Sequence, residues 1–334
     1  MLKTTSRRAL AEIALALLTV IALAVGLYAA AFRLMPHRYD FGAVWESYLE
    51  EPRDTADVLF FGSSICYCDV MPAAIYRESG LTSFVMAGPE QTPEVMLCYV
   101  REACRTQRPQ CVVAEITGAF FDRYTGYSKV NVGYMPFSVN RVRAGLACEE
   151  GMLRLALFPI YDFHSELLAP QLARSELTED DGRMLCGYTL LTDTASELTP
   201  GDREGLHLPG TEAYETHAQA LEQLVSFCRD EGIELVCYFS PAVARVPDDA
   251  RRTLTERLTA SGCEAVWDLT DAAASMGVDD ADWYDNLHFN RFGAEKFSAD
   301  LAARLTALGV TPSGRADETL WQRRVEGYAE HVIG

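Results

Sequence analysis

The chain has 334 residues, 49% of them hydrophobic, enough for one large domain or two small ones. Forty-eight acidic residues against 29 basic ones give a net charge of −19, which argues against nucleic acid as a partner, because phosphate binding needs a basic surface. The same charge disfavours long-range steering of a polyanionic glycan and reads as solubility.

Residues 1–8 hold Lys3, Arg7 and Arg8 and read as a cytoplasmic tail. Residues 13–32 are twenty in a row without a charge. As a helix this run spans about 30 Å, the thickness of the bilayer hydrocarbon core. Residues 9–33 therefore read as a single transmembrane anchor. The positive-inside rule keeps the N-terminus in the cytoplasm and places the remainder outside the plasma membrane. A cleaved signal peptide ending at Ala29-Ala30-Ala31 is the rival, but the apolar run is long for a signal core.

Residues 34–54 read as a juxtamembrane link. Residues 58–61 form an apolar strand that stops at Gly62 and runs into Ser63-Ser64. That ending is either a turn with a helix cap or an exposed nucleophile. A second strand is expected at 83–86. Residues 92–107 carry apolar groups at helical spacing, with Pro93 suited to a first turn. The run 111–116 is β-branched and continuous, as in a parallel sheet buried on both faces. Residues 118–210 break the pattern and read as an insertion over the carboxyl edge of the sheet. A helix at 211–231 ends at Gly232, strands follow at 233–239 and 264–269, and a helix at 293–308 aligns Phe297, Leu301 and Leu305. Residues 313–334 read as a peripheral helix.

Alternating strands and helices imply an α/β domain over 55–312, with a parallel sheet, helices on both faces and right-handed crossovers. Ten cysteines suit an oxidising compartment if they pair. Cys104 and Cys111 flank a short basic loop and are candidates to close it. Cys237, within a strand, reads as a buried thiol, and Cys66 and Cys68 as packing beneath the turn. No C-x-x-C, H-E-x-x-H, G-x-x-x-x-G-K-[ST] or G-x-G-x-x-G occurs, so no metal or cofactor is implied.

Ligands of open parallel sheets bind outside the carboxyl ends of the strands, where Ser63 and Ser64 lie. A serine needs a base to take its proton. There are six histidines, His37, His164, His207, His217, His288 and His331; His288 lies in "DWYDNLHFNRFGAEKF" after the last strand, with Asp285 three residues before it. A single turn sets that carboxylate against Nδ1–H, fixing the tautomer and stabilising an imidazolium. His164 reads as a packed loop histidine, with lining of the site as the alternative. His207 and His217 read as surface residues. Glu115, ending the third strand, either contacts the site or pairs with an arginine.

Gly62-Ser63-Ser64 and Asp285-Asn286-Leu287-His288 resemble the first and last blocks of the SGNH (GDSL-like) hydrolases. "HFNRFGAEKF" resembles a segment of their membrane-anchored branch, which includes teichoic-acid D-alanyl-transfer and alginate O-acetylation proteins. "SFVMAGPEQTPE" resembles the second block, and "FPIYDFHSEL" (158–167) a middle segment. The resemblance covers about residues 55–309. It implies a flavodoxin-like three-layer α/β/α sandwich with Ser64 as nucleophile, His288 as base and Asp285 as orienting acid. The oxyanion hole would be formed by the Ser64 N–H and that of Gly88, with Ala87 the alternative. It further implies action on acyl esters of a cell-envelope polysaccharide, with a multipass membrane O-acyltransferase as partner. One departure stands out: the family's third block supplies an asparagine after strand three, and "EITGAFFD" has Thr117 and Gly118 there. The competing expectations are a catalytically inactive glycan-binding or scaffold protein and a plain tethered structural domain.

Overall fold

The structure is a computed structural model describing residues 2–34, 38–122, 127–148, 152–158, 161–163 and 179–333. His37, His164 and most of the 158–167 segment lie outside the described residues, as does the side chain of His331.

The five main strands are β1 (Val58–Phe61), β2 (Ser83–Val85), β3 (Cys111–Glu115), β4 (Glu234–Phe239) and β5 (Ala265–Asp268). They form one parallel sheet in the order 2-1-3-4-5, with Leu59 level with Phe84 and Val112, Val112 with Leu235, and Val236 with Ala265. This is the doubly wound order in which the connections reverse beside β1 and open a crevice there. A separate two-residue parallel ladder joins Gly201–Asp202 to Ala244–Arg245.

The helices are α1 (Leu2–Leu34), α2 (Trp45–Glu50), α3 (Ser64–Asp69), α4 (Pro72–Ser79), α5 (Pro93–Ala103), α6 (Ser128–Gly133), α7 (Val139–Ala147), α8 (Met152–Leu157), α9 (Glu179–Leu185), α10 (Glu212–Glu231), α11 (Asp248–Ala260), α12 (Arg291–Leu308) and α13 (Glu318–Ile333). Successive strand residues point to opposite faces, and each face is covered by a helical layer. Leu59, Phe61, Val112, Leu235 and Cys237 pack with α5, α10 and α11. Val58, Phe60, Val113, Val236 and Tyr238 pack with α3, α4 and α12. The three-layer α/β/α architecture follows from this alternation. In α10, Thr211 caps the first turn by accepting from Tyr214 N–H, and a stripe of Tyr214, Ala218, Leu221 and Val225 turns inward.

Apart from the sheet stands α1, whose segment Arg8–Ala30 is long and apolar enough to cross a membrane and is not buried by the protein. Part of the stretch read as a link belongs to the core instead: Ala43, Val44, Trp45 and Tyr48 are each only 1% exposed. Tyr48 donates to the Ala103 carbonyl at the end of α5. All ten cysteines are free thiols, and Cys111 sits within β3 rather than closing a loop to Cys104. Within the insertion, residues 186–195 bond back to the sheet edge. Val85 N–H donates to Cys186, Thr189 N–H to Tyr67, and Ala195 N–H to Trp283.

Candidate active site

β1 delivers the chain to a turn that only glycine can make. Gly62 has φ +157°, and a Cβ there would lie 2.6 Å from Glu115 Cβ and 2.9 Å from Cys66 Cβ. Ser63 then caps α3. Its Oγ accepts from Ile65 N–H at 3.3 Å and donates to Glu115 Oε2 at 2.9 Å. The helix-cap reading of the Gly-Ser-Ser ending is realised by Ser63. Ser63 is buried and caps; Ser64 is partly exposed and opens the helix, so its N–H has no acceptor within α3.

Among the described residues Glu115 pairs with no arginine; it bonds to Ser63, beside Ser64. It is fully buried, accepting from Ser63 Oγ and from Thr117 N–H at 2.7 Å. Burial pushes its carboxyl up from the usual range, although the bonds from Thr117 and Ser63 pull it back in part. This side chain fixes the distance between the end of β3 and the Ser63-Ser64 turn.

His288 arrives on a loop closed by the antiparallel bridge between Trp283 and Phe289. Asp285 Oδ1 accepts from Leu287 N–H at 2.7 Å and His288 N–H at 2.9 Å, folding the loop around its own acid. The His288 Nδ1 lies 2.9 Å from Asp285 Oδ2 and 3.0 Å from Oδ1. Nε2 lies 2.9 Å from Ser64 Oγ. A carboxylate at Nδ1 assigns the proton there, leaving the Nε2 lone pair to accept from the serine hydroxyl. Burial would raise the Asp285 carboxyl, but the hydrogen bond and charge of His288 and the two backbone donors outweigh it, and Asp285 sits below its usual range. Ser64 is thus brought together with Asp285 and His288, 224 residues beyond it in the case of the histidine, at the carboxyl edge of the sheet.

The loop is bolted down on both sides. The Asn286 carbonyl accepts from Val243 and Ala244 N–H, and its Oδ1 accepts from Thr199 N–H. Asp69, the last residue of α3, is fully buried. Its Oδ1 accepts from Phe289 N–H at 2.9 Å and its Oδ2 from Ser240 Oγ at 3.0 Å. Burial drives the Asp69 carboxyl well above the usual range despite these bonds. Asn290 caps α12 through Phe292 and Gly293 N–H, and Gly293 allows the Asp282 carbonyl to approach where a Cβ would be only 2.5 Å away.

The second expected oxyanion donor is engaged. Gly88 N–H donates to the Gly62 carbonyl at 3.1 Å, tying the β2 exit to the turn before Ser64. Asn131, from α6, packs on Gly88 so closely that a Cβ there would lie 1.7 Å from its Oδ1. Its Nδ2 donates to the Pro89 carbonyl at 2.9 Å and its Oδ1 accepts from Gln91, so this amide braces the turn. Gly118 touches the same turn, with the Gln91 carbonyl 2.5 Å from a would-be Cβ.

Between Ile65 and Leu287, neighbours of the serine and the histidine, opens a cleft of about 300 Å³ including its mouth; Thr117, Ser240, Arg203 and Arg245 also line it. His207 stands half-exposed beside Asp122. His217, read from sequence as a surface residue, is completely buried on the inner face of α10, with Nδ1 at 3.2 Å from the Ala119 carbonyl. Its position three residues after Tyr214 and four before Leu221 places it on the apolar stripe. Asp69 and Asn131 were not singled out from the sequence: one is an ordinary acid at a helix end, the other an asparagine in a stretch without period.

No protein-family model matches this chain, and no curated protein matches it. Among solved structures it is similar to a Bacteroides fragilis protein provisionally described as an acylhydrolase, at 13% identity and a TM-score of 0.41, over 81% of this chain and 98% of that one.

Proposed function

We propose that the chain is a membrane-anchored serine hydrolase or O-acyltransferase of the SGNH type. One observation carries this: Ser64 Oγ, His288 and Asp285 form an unbroken hydrogen-bonded line at the crevice of a doubly wound sheet. Ser64 Oγ attacks the carbonyl carbon of an ester while its proton passes to His288 Nε2. Asp285 holds the ring and stabilises the imidazolium. The Ser64 N–H faces the oxyanion. His288 returns the proton to the departing alcohol, leaving an acyl group on Ser64. Water or a sugar hydroxyl, deprotonated by His288, then takes the acyl group. With α1 as a single-pass anchor and the basic tail inside, the site faces the cell envelope. An envelope polysaccharide is then the substrate, and a multipass membrane O-acyltransferase the partner.

A second reading, a glycan-binding or scaffold protein with little turnover, is favoured by one fact: the Gly88 N–H is spent on the Gly62 carbonyl. Loss of one oxyanion donor costs about 10²–10³ in rate. Fluorophosphonate labelling and p-nitrophenyl acetate cleavage by the full chain in detergent separate the two. Reaction in the wild type, lost in both Ser64→Ala and His288→Ala, supports the enzyme. An inert wild type, or equal labelling of Ser64→Ala, rejects it.

A further inference from the structure

The insertion buries Val132, Met135, Leu155 and Phe163, yet leaves a second set of large apolar side chains in the open. In α7 the buried positions are Arg141, Ala144 and Gly145, whereas the apolar Val139 and Leu146, one heptad apart, are exposed. In α8 Leu155 and Ala156 are buried while Leu153 is exposed. Phe137, Val139, Leu146, Phe158 and Tyr161 are 59–66% exposed, a concentration of large apolar groups that a protein surface in water rarely carries.

Two further observations say what covers this surface. Tyr28 packs on Phe137, with ring centroids 4.7 Å apart. Tyr28 lies two residues before the end of the apolar segment Arg8–Ala30, about 3 Å along the helix from its boundary. That is the depth at which aromatic residues gather in a bilayer. Charge does not oppose this. Residues 127–163 hold four basic and three acidic residues in a chain of net charge −19, with Arg141 buried and Arg154 paired with Asp162. Arg143 is exposed on the outer face of α7, and Arg154 stacks on the exposed Tyr161 ring at 4.5 Å.

We propose that the outer faces of α7 and α8, with the exposed side chains of Phe158 and Tyr161, lie in the headgroup layer of the membrane that α1 crosses. The inference rests on reading α1 as a spanning anchor, but not on the chemistry of Ser64. The anchor supplies one attachment and this face a second, as in interfacial amphipathic helices. The domain is then held against the bilayer, and its substrate meets it at the membrane surface.

The test uses the full chain, with a sequence-specific protease site replacing residues 35–37, reconstituted in phosphatidylethanolamine–phosphatidylglycerol vesicles. After cleavage the wild-type domain is expected to float with the vesicles. The pair Leu146→Glu and Phe158→Glu should lower the bound fraction at least tenfold, with an unchanged near-ultraviolet circular dichroism spectrum. Phe158→Trp should add an emission quenched by shallowly brominated lipid. Complete release of the wild-type domain overturns the proposal. So does binding that the paired substitutions leave unaltered, or cross-linking showing that the face is covered by a second copy. Alkaline carbonate extraction of the uncleaved chain overturns it too, through loss of the anchor itself; fluorophosphonate labelling reports separately on Ser64.

Discussion

Asp69 joins the helix that begins with Ser64 to the loop that carries His288, and its replacement discriminates between a bond and a charge. In Asp69→Ala, Phe289 N–H and Ser240 Oγ both lose their acceptor in a site closed to water. Each stranded buried donor costs about 1–3 kcal/mol, so about 2–6 kcal/mol is lost. Asp69→Asn keeps an acceptor for Phe289 N–H and gives Ser240 Oγ a donor, so it should cost under about 1 kcal/mol. The carboxyl is buried without a cation, and its folded-state pKa is raised well above the unfolded value. A raised acid contributes its stability below the unfolded pKa, near 4, and loses it as pH rises through the folded pKa. The wild type should therefore lose stability relative to Asp69→Asn as pH rises from about 4. Denaturant unfolding of the three proteins in detergent between pH 4 and 9 measures this. Equal losses in the Asn and Ala variants, or a wild type that gains on Asp69→Asn as pH rises, would refute the reasoning.

Other substitutions probe other parts of the assembly. Asp285→Asn should lower acyl-enzyme formation by about 10⁴, through the wrong imidazole tautomer, with little change in unfolding; pre-steady-state release of p-nitrophenol measures it. Because Asp285 lies below its usual range, the orienting charge persists in mild acid and is lost only as pH falls through that lowered value. Gly62→Ala places a methyl against Glu115 Cβ in a backbone region that favours glycine, and should cost about 1–3 kcal/mol together with loss of Ser64 labelling. Arg141 is fully buried and donates to the carbonyls of Met135, Leu155 and Ala156. Arg141→Met strands these groups and should open residues 127–158 to protease before the sheet melts, as limited proteolysis followed by mass spectrometry would detect.

The layered sheet was legible because its strands are short, apolar and separated by helical periods, and the strands at 58–61 and 234–239 need no long-range knowledge to be seen. Ser64, Asp285 and His288 were legible for a different reason: a strand-to-helix turn and a three-residue acid–base spacing are local. What escaped depends on pairs far apart in sequence. Asp69 meets Phe289 across 220 residues, Tyr48 reaches Ala103, and Gly88 is closed off by the Gly62 carbonyl. No period marks such contacts. His217 is the exception, since the stripe on its own helix already placed it inward, and only its acidic neighbours suggested otherwise.

The edge of the sheet is organised by two buried acids that meet no cation among the described residues. Glu115 clamps the cap of α3 and Asp69 ties the end of the same helix to the histidine loop. A salt bridge would have neutralised either charge but brought a long, flexible partner into the space between serine and histidine. Short serine hydroxyls and backbone N–H groups do the holding here, and their geometry is fixed by the sheet and the helix cap. Such bonding is unforgiving, because burial opposes the ionised form of each acid while every hydrogen bond on it favours that form. Ser64 and His288 are therefore held by one packed unit, α3 with its two carboxyl clamps. Their 2.9 Å separation follows from packing that is complete before any substrate arrives.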